Sequence, residues 1–344
     1  MITIKEATAK LVSGGSLTFE EAGEVMDAMM SGECSDVMIA AYLTALETKG
    51  ETVDEIAGSA SEMRAHAVPL PGDHSNALEI VGTGGDGSHS FNISTTAAFV
   101  VAGCGVEVAK HGNRAMSSSS GAADVLEALG ARLDLEPEDS ARILGECGFA
   151  FMFAQRYHPA MRYVAPVRKE LGFRTVFNIL GPLTNPARAG HQFTGVYSEG
   201  LVLPISDVLA RLGVSRALVV YGRDGIDEIS ISADTACCEV RNGSKDTFYL
   251  TPEEFGFERS PRDSILGGGP AENAEITRSV LSGAKGPRRD IVLMNAGAGL
   301  YTAGKASSIA EGIEMASNSI DSGEALRRLD RYVALTGEAH GEHT

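Results

Sequence analysis

The first 66 residues have the apolar spacing and the punctuation of consecutive helices. Residues 18–21 and 52–55 both have the pattern Thr-x-x-Glu, the capping box that begins many helices. Lys49-Gly50 follows an apolar run and is typical of a helix end, because glycine accepts the backbone angles found there. Prolines and a glycine then interrupt the pattern over residues 68–72. We therefore predict a small helical N-terminal domain over residues 1–68, followed by a linker.

Beyond the linker, short apolar runs alternate with helical patterns. The predicted strands are 78–81, 106–109, 149–153 and 217–221, and the predicted helices between them include 94–102 and 121–129. Such alternation predicts an α/β fold with a mainly parallel central sheet, in a larger domain over residues 74–344. The segment near 160–190 returns to helix and loop, and we expect it to rejoin the N-terminal helices.

Composition and charge narrow the class of protein. The chain has 344 residues, 43% of them hydrophobic and 22% charged, as expected for two globular domains. Its formal net charge of −17 repels polyanions, so we expect no nucleic-acid partner and no membrane partner, and any phosphate site must be local. The start of the chain does not resemble a signal peptide, and no apolar run approaches the length of a membrane span. We therefore predict a cytoplasmic protein.

Cysteine usage adds no site. The five cysteines are odd in number and form no C-x-x-C pair, which supports neither a disulfide framework nor a zinc site. We expect buried apolar thiols at Cys34, Cys104, Cys147, Cys237 and Cys238.

A glycine-rich loop follows the first predicted strand. Residues 82–87 have the sequence GTGGDG, and glycines there permit positive φ and can turn backbone amides toward an anion. The same residues match the dinucleotide pattern G-x-G-x-x-G, with Glu107 about 20 residues on as a ribose-binding acid. That match is weak, because residues 88–92 separate the third glycine from the next predicted helix, whose N-cap we place at Ser94. A glycine turn without a ligand is the plainer alternative.

Two polar segments come next along the chain. Residues 92–96 (NISTT) begin a predicted helix whose free amides can receive a phosphate, although the hydroxyls serve equally well as helix caps. Residues 110–114 (KHGNR) follow a predicted strand and place two positive charges at the carboxyl edge of the sheet, where α/β proteins bind ligands. A basic surface turn is the alternative. The four serines 117–120 form either a ligand-covering loop or a solvated turn.

Carboxylates are concentrated in a later loop. Residues 224–228 (DGIDE) follow the predicted strand 217–221, and hard oxygen ligands suit Mg²⁺ held together with substrate phosphates. A solvated acidic turn is the alternative, since Asp-Gly is common in turns. Arg162 and Arg168 lie six residues apart in one predicted helix, so they point about 120° apart and need different partners.

The joint order of these segments is more specific than any one of them. The segments are GTGGDG (82–87), FNIST (91–95), KHGNR (110–114), the stretch from YHPAM to LTNPA (157–187), DGIDEIS (224–230), ENA near 272 and NAGAGLY near 295. Across nearly the whole chain the sequence resembles the anthranilate phosphoribosyltransferases of tryptophan biosynthesis. The resemblance implies a helical domain and an α/β domain with the active site between them, a homodimer built through the helical domain, and dependence on magnesium (Mg²⁺).

The resemblance also implies roles for individual residues. Phosphoribosyl pyrophosphate (PRPP) would contact Gly82, Gly85, Asp86, Ser90, Asn92, Ile93, Ser94, Thr95, Lys110, His111, Gly112, Asn113, Arg114, Ser117 and Ser118. Anthranilate would contact Gly82, Asn113 and Arg168, and Mg²⁺ would bind to Ser94, Asp227 and Glu228. Two positions depart from the family pattern: Ala122 stands where a serine is usual, and Tyr221 stands where histidine is common.

The implied reaction is attack of the anthranilate amine on the anomeric carbon of PRPP, with release of pyrophosphate. It needs no covalent nucleophile from the protein, and His111 or His158 is a candidate acceptor of the released proton. The alternatives are a paralogue that uses another aromatic amine, a pyrimidine nucleoside phosphorylase, and a non-catalytic relative that binds nucleic acid. The KHGNR and DGIDE segments fit a phosphorylase poorly, and the net charge opposes nucleic-acid binding.

Overall fold

The computed structural model describes residues 1–115 and 119–342. Short 3₁₀ turns, such as Pro159–Tyr163, connect some of the longer elements. The α-helices of the described residues are α1 (Ile4–Val12), α2 (Phe19–Met30), α3 (Asp36–Lys49), α4 (Val53–Ala65), α5 (Ile93–Gly103), α6 (Ala122–Ala128), α7 (Pro137–Cys147), α8 (Ala154–Tyr157), α9 (Ala165–Leu171), α10 (Phe177–Leu180), α11 (Val202–Arg211), α12 (Pro270–Leu281), α13 (Pro287–Thr302), α14 (Ile309–Asp321) and α15 (Glu324–Glu342).

Two of the N-terminal helices begin at the predicted caps. The Thr18 hydroxyl accepts a hydrogen bond from the backbone of Glu21, whose carboxylate accepts one from the backbone of Thr18. Residues 52–55 form the same reciprocal pair at the start of α4. α3 ends at Lys49, and Gly50 follows with a φ of 86°. These contacts satisfy backbone groups that a helix end leaves unpaired. The predicted helical N-terminal region is confirmed.

The larger part of the chain is built on one seven-stranded sheet in the order β3-β2-β1-β4-β5-β6-β7. β1 to β5 are parallel, whereas β6 and β7 pair antiparallel at one end. The predicted α/β fold with a mainly parallel sheet is confirmed. The strands are β1 (Leu78–Gly82), β2 (Val108–Gly112), β3 (Phe149–Phe153), β4 (His191–Gly195), β5 (Arg216–Gly222), β6 (Thr235–Arg241) and β7 (Ser244–Leu250).

Three strands were not predicted from the sequence, and one was misplaced. β4 contains Gln192 and Thr194, which are buried polar residues, so its apolar pattern is weak. β6 and β7 form a hairpin, and β7 is an exposed edge strand with polar side chains. The strand predicted at 106–109 is observed at Val108–Gly112, because it continues through the buried side chain of Lys110.

Hydrophobic clusters cover both faces of the sheet. Successive side chains of β5 alternate between them: Leu218 packs with α5 and α12–α15, whereas Val219 packs with α1–α4 and α11 on the other face. Because β1, β2 and β5 run parallel, their carboxyl ends lie at one edge of the sheet. The loops that follow Gly82, Gly112 and Gly222 all begin at that edge.

The segment near 160–190 packs against the N-terminal helices. Val164, Val167 and Phe177 belong to the same hydrophobic cluster as α1–α4. The domain boundaries given above, 1–68 and 74–344, stay predictions. Within the described residues, no helix has both the length and the apolar composition needed to cross a bilayer.

Arg162 and Arg168 lie in separate elements, so the prediction that one helix carries both is wrong. Arg162 belongs to the 3₁₀ turn Pro159–Tyr163, and Arg168 belongs to α9. Pro166 explains the break, because proline has no N–H to donate and is tolerated only in the first turn of a helix. The two arginines still have different neighbours.

Gly58 permits a close contact between α2 and α4. A Cβ at Gly58 would lie 2.1 Å from the backbone oxygen of Phe19, so Gly58→Ala must push the helices apart and should cost about 1–3 kcal/mol. Gly145, inside α7, has nothing within 4 Å of a Cβ, so Gly145→Ala should stabilise by up to about 1 kcal/mol. Urea unfolding of both variants measures the difference. Effects of the same sign would contradict this packing.

Candidate active site

A glycine loop follows β1 at the carboxyl edge of the sheet. Gly84, Gly85 and Gly87 have φ angles of 67°, 70° and 69°, which other residues rarely adopt. The backbone N–H of Thr83 donates to the carbonyl of Gly195 at 3.0 Å and ties the start of the loop to β4. The turn therefore holds backbone amides near the end of the sheet, as an anion site requires.

The acidic loop after β5 packs directly against the glycine loop. The Asp227 carboxylate accepts a 2.7 Å hydrogen bond from the backbone of Gly84, and the backbone N–H of Asp227 donates to the Asp86 carboxylate at 3.3 Å. A Cβ at Gly82 would lie 2.2 Å from the Asp227 carboxylate, and one at Gly195 would lie 1.6 Å from the Asp227 carbonyl. Glycine at these two strand ends is what allows the loops to meet.

Asp86, Asp227 and Glu228 form an acidic cluster where the two loops meet. Within it, the carboxyl groups of Asp227 and Glu228 ionise less readily than they would in water. Burial raises the pKa of Asp227 to about 7, and the charge of Asp86 acts in the same direction. Burial also raises the pKa of Glu228 well above its usual value, and the charge of Asp227 adds to that shift. Both shifts arise mainly from burial, and the charge of Lys110 offsets the shift of Glu228 only in part. A bound cation would reverse them.

The raised pKa of Asp227 predicts a pH dependence of stability. Between about pH 4 and pH 7 the unfolded chain ionises this carboxyl group while the folded protein keeps it protonated, so its contribution to the free energy of unfolding falls as pH rises. Asp227→Asn removes the titration, so with a chelator present the variant should gain stability relative to the wild type on going from about pH 4 to above pH 7. Urea unfolding across that range measures the gain. A stability difference that does not change with pH would show that Asp227 ionises normally.

Lys110 is buried within the cluster rather than exposed on a basic turn. Its ammonium group donates to the carbonyl of Ile80 at 2.6 Å and to the hydroxyl of Ser94 at 3.1 Å. Burial lowers the pKa of Lys110 to about 8, and the charges of Glu228 and Glu79 oppose that shift. Lys110 therefore supplies positive charge inside the site and positions the Ser94 hydroxyl.

Polar contacts hold the start of α5. Asn92 is its N-cap, and its side-chain oxygen accepts from the amide of Asn273 at 2.9 Å and from the hydroxyl of Ser120 at 3.3 Å. The Asn273 side chain accepts from the backbone of Gly268 at 2.8 Å. The predicted N-cap at Ser94 is therefore wrong, because this network fixes Asn92 at the end of the helix. Asn273 was not among the predicted site residues, since only the short ENA segment pointed to it.

The remaining predicted residues near α5 differ in exposure. Ser90 forms an isolated bridge with Leu266, and its hydroxyl accepts from Ser88 at 3.2 Å. The side chains of Ile93 and Thr95 are buried in the first turn of α5. Their backbone N–H groups lie where a helix lacks internal acceptors, so these are the groups that an anion would bind.

The basic turn after β2 is partly neutralised by α6. Arg114 donates to Glu127 at 2.9 Å and to Asp124 at 3.1 Å. Asn113, which follows Gly112 at the end of β2, is exposed, and its side-chain oxygen accepts from the backbone of Arg114 at 2.8 Å. The Arg114 side chain is thus occupied by carboxylates of α6 in this conformation.

Two buried histidines lie beside each other near the basic turn. The rings of His111 and His158 are 4.9 Å apart, and they bond to the backbone carbonyls of Gly181 and Thr184 at 3.2 Å and 3.0 Å. Burial lowers the pKa of His111 to about 3 and that of His158 to about 4. Both rings are therefore neutral at pH 7 and are weak bases, which opposes the hypothesis that either accepts the released proton.

Two arginines come from the segment that packs on the N-terminal helices. The Arg168 guanidinium lies 5.1 Å from the centre of the Phe177 ring, and burial lowers its pKa. Arg174 donates to the carbonyl of Gly85 and lies 4.2 Å from the centre of the Tyr197 ring. Arg174 thus reaches the glycine loop, although nothing in its sequence context predicted a site residue.

One sequence hypothesis is wrong, and another concerns residues that the structure does not describe. Leu78 pairs with Val108 in the parallel β1–β2 ladder, so Glu107 lies at the amino edge of the sheet, away from the glycine loop. A dinucleotide site that uses Glu107 is therefore wrong. The predicted contacts Ser117 and Ser118 lie outside the described residues.

Both parts of the chain match one family of known proteins. Residues 5–67 match the glycosyl transferase family, helical bundle domain, and residues 74–326 match the a/b domain of the glycosyl transferase family. An anthranilate phosphoribosyltransferase of Methanobrevibacter smithii is 56% identical over 97% of this chain and 99% of its own length. The chain belongs to the anthranilate phosphoribosyltransferase family.

Solved structures of anthranilate phosphoribosyltransferases have the same fold. The one from Thermus thermophilus superimposes with a TM-score of 0.91 at 50% identity, covering 96% of this chain and 99% of that chain. One from Saccharomyces cerevisiae, in complex with PRPP and Mg, has a TM-score of 0.88 at 32% identity and covers 97% of this chain and 98% of that chain.

Both departures from the anthranilate phosphoribosyltransferase pattern lie near the carboxyl edge of the sheet. Ala122 begins α6, and its Cβ lies 3.4 Å from the position of a Cβ built at Gly112. Tyr221 is half-buried in β5, where it packs on the hydrophobic cluster that includes α1–α4 and α11. Neither residue is one of the charged groups of the acidic cluster.

Proposed function

We propose that this protein transfers the 5-phosphoribosyl group of PRPP to the amine of anthranilate and releases pyrophosphate, as a step of tryptophan biosynthesis. The observation that carries the proposal is the packing of the acidic loop on the glycine loop. It gathers Asp86, Asp227 and Glu228 beside backbone amides and the start of α5. Membership of the anthranilate phosphoribosyltransferase family supports the same reaction.

PRPP is proposed to bind along the glycine loop and the first turn of α5. Gly85 and Asp86 belong to the loop, and the N–H groups of Ser94 and Thr95 carry the positive end of the helix dipole. Asn92 is fixed by the network described above, so it can face a ligand without a large loss of side-chain entropy. The other predicted contacts, with Gly82, Ser90, Ile93, Lys110, His111, Gly112, Asn113, Arg114, Ser117 and Ser118, stay predictions.

The acidic cluster fits Mg²⁺. Magnesium prefers oxygen ligands and is held by one or two carboxylates together with substrate phosphates. Asp227 and Glu228 offer carboxylate oxygens, Ser94 offers a hydroxyl, and the raised pKa values of both acids indicate a place for positive charge. When bound, the ion supplies charge that stabilises the departing pyrophosphate.

Arg168 is the proposed partner of the anthranilate carboxylate. Gly82 and Asn113 are proposed to lie beside the anthranilate ring. A guanidinium group presents donors in a fork that matches a carboxylate. The Phe177 ring beside Arg168 restricts the orientation of that fork. Because burial already disfavours the charge of Arg168, an anionic ligand gains from pairing with it.

The chain contributes alignment and electrostatics rather than a covalent intermediate. An aromatic amine is neutral near pH 7, so no residue needs to remove a proton before attack. The proton that the nitrogen loses once the C–N bond has formed can pass to the departing pyrophosphate or to water. The protein must align the amine with the anomeric carbon and stabilise the negative charge that develops on pyrophosphate. The Lys110 ammonium group and the N-terminal amides of α5 supply positive potential for that purpose.

Loss of anthranilate fluorescence tests the proposal. Purified protein mixed with anthranilate, PRPP and Mg²⁺ should consume anthranilate, and omission of any one component or addition of a chelator should stop the loss. Inorganic phosphate with a pyrimidine nucleoside tests for a phosphorylase in the same preparation. Phosphorolysis without anthranilate consumption would replace the proposal with that alternative, and consumption of another aromatic amine alone would indicate a paralogue.

The homodimer through the helical domain stays a proposal as well. Val12 and Val37, on α1 and α3, are 75% and 78% exposed, which supports an interface at this end of the molecule. Sedimentation equilibrium of the wild type and of Val12→Ser/Val37→Ser tests it. The predicted absence of nucleic-acid binding is tested by titration with DNA at low salt, where binding would be strongest.

Ala122 offers a position where affinity can be raised. If a serine hydroxyl there bonds PRPP, Ala122→Ser should lower the KM for PRPP about fivefold, equivalent to one hydrogen bond of about 1 kcal/mol. The KM for anthranilate should stay within twofold. A steady-state titration of each substrate measures both constants. A higher KM for PRPP in the variant would show that α6 has no room for the hydroxyl.

A further inference from the structure

One cluster of metal-ligating side chains lies away from the acidic loop. Asp27 of α2 and Glu62 and His66 at the end of α4 each bring one ligand atom within 4.8 Å of the other two. The His66 Nε2 atom is 2.7 Å from the Asp27 carboxylate. Among the described residues, no other set of three histidine, cysteine, aspartate or glutamate side chains meets this condition.

The packing of α2 and α4 creates the cluster. The two helices are parallel neighbours. Phe19 of α2 contacts the position of Gly58 in α4, and four residues further along each helix Gly23 faces Glu62. A Cβ at Gly23 would lie 3.3 Å from the Glu62 Cγ, so Gly23 leaves room for that side chain. The next step along both helices brings Asp27 to His66.

Helical spacing presents the other two ligands together. Glu62 and His66 lie four residues apart, which places both side chains on one face of the helix. His66 is the C-cap, and its backbone N–H donates to the Glu62 carbonyl. The three side chains are half-buried or exposed, so a cation in solution can reach them.

The donor set selects the type of cation. Mg²⁺ and Ca²⁺ prefer oxygen ligands alone, whereas an imidazole nitrogen with two carboxylates suits Zn²⁺. Zinc bonds to nitrogen and oxygen at about 2.0–2.2 Å, and its sites with three protein ligands keep a fourth position for water. Side-chain rotation alone can open the contact between His66 and Asp27 to admit an ion of this size, since neither side chain is enclosed.

We propose that Asp27, Glu62 and His66 form a zinc-binding site that cross-links α2 and α4. The site joins residues 39 apart in sequence and is independent of the proposed transfer reaction. Bound zinc stabilises the folded protein, because the unfolded chain does not hold the three ligands together. It is expected to leave turnover unchanged, since none of its ligands belongs to the acidic cluster.

Calorimetric titration with zinc chloride tests the site in the full-length protein. Excess Mg²⁺ is present throughout, so that the oxygen ligands of the acidic loop are occupied. We expect one zinc ion per chain, a rise in Tm, and visible absorption bands when Co²⁺ replaces zinc. The variants are His66→Gln and Asp27→Asn. In Asp27→Asn the amide oxygen can still accept a hydrogen bond from His66. His74→Gln is the control, since His74 is also half-buried and, within the part of the chain that the structure describes, its ring bonds to the Pro71 carbonyl.

The variants separate the site from the fold. His66→Gln and Asp27→Asn should each weaken zinc binding at least about tenfold while His74→Gln leaves it unchanged, because the loss of a direct ligand costs at least as much as the loss of a group that only supports one. The Tm without zinc should stay close to that of the wild type in all three variants. Absence of zinc binding in the presence of Mg²⁺, or equal affinity in His66→Gln, Asp27→Asn and the wild type, would overturn the proposal.

Discussion

Neutralising the acidic loop with Asp227→Asn and Glu228→Gln together should lower turnover at least about a hundredfold, the usual effect of removing charge stabilisation in an active site. The fold should survive. Both acids already have raised pKa values, so the folded protein holds them close to the neutral form that the amides imitate. The loss is therefore expected in turnover rather than in folding, because the neutral side chains cannot hold the Mg²⁺ that would stabilise the departing pyrophosphate.

Turnover at saturating Mg²⁺ measures the expected loss of activity, and circular dichroism measures whether the fold survives. The control is Asp330→Asn/Glu338→Gln, which removes the same two charges from the exposed face of α15. Its turnover should match the wild type, because exposed ion pairs contribute little to stability. Near-normal Mg²⁺-dependent turnover in the variant of the acidic loop would remove these residues from the metal site.

Arg168→Ala should raise the KM for anthranilate by about thirtyfold or more, equivalent to the loss of a charge-assisted contact of about 2 kcal/mol. The KM for PRPP should change little, because the proposed PRPP site is built from the glycine loop and α5. Arg168→Lys keeps the charge but loses the fork, so its effect on anthranilate should be intermediate.

Initial rates over a matrix of both substrates separate the two constants. Arg162→Ala is the matched control, since Arg162 lies in the preceding turn and donates to Tyr163 at 2.7 Å. An equal rise in both KM values for Arg168→Ala would mean that Arg168 orders the packing between the helices and the sheet. In that case a lower Tm would accompany the kinetic change.

The fold was predictable wherever local pattern and burial agree. The capping boxes at 18–21 and 52–55 and the strand at 149–153 need only neighbouring residues for their prediction, and each is observed. β4 could not be predicted, because Gln192 is buried by hydrogen bonds to the Pro182 carbonyl and the Thr194 hydroxyl, which the pattern of polar and apolar residues does not reveal. Burial of a polar strand is a property of the completed sheet.

The site shows the same division between local and distant contacts. The glycine loop and the acidic loop each had a local signature, and we placed both at strand ends. Their direct contact depends on Gly195, which lies in the strand that the sequence did not predict. Arg174 and Asn273 reach the site only through long-range packing, and the low pKa of His111 results from burial that its neighbours in sequence do not reveal.

Analysis of the products tests the central claim most directly. Protein, PRPP, anthranilate and Mg²⁺ are incubated together, and mass spectrometry and a pyrophosphate assay follow the same sample. We expect N-(5-phosphoribosyl)anthranilate and one pyrophosphate for each anthranilate consumed. Pyrophosphate release at the same rate without anthranilate, or unchanged anthranilate beside bound PRPP, would contradict the proposed transfer.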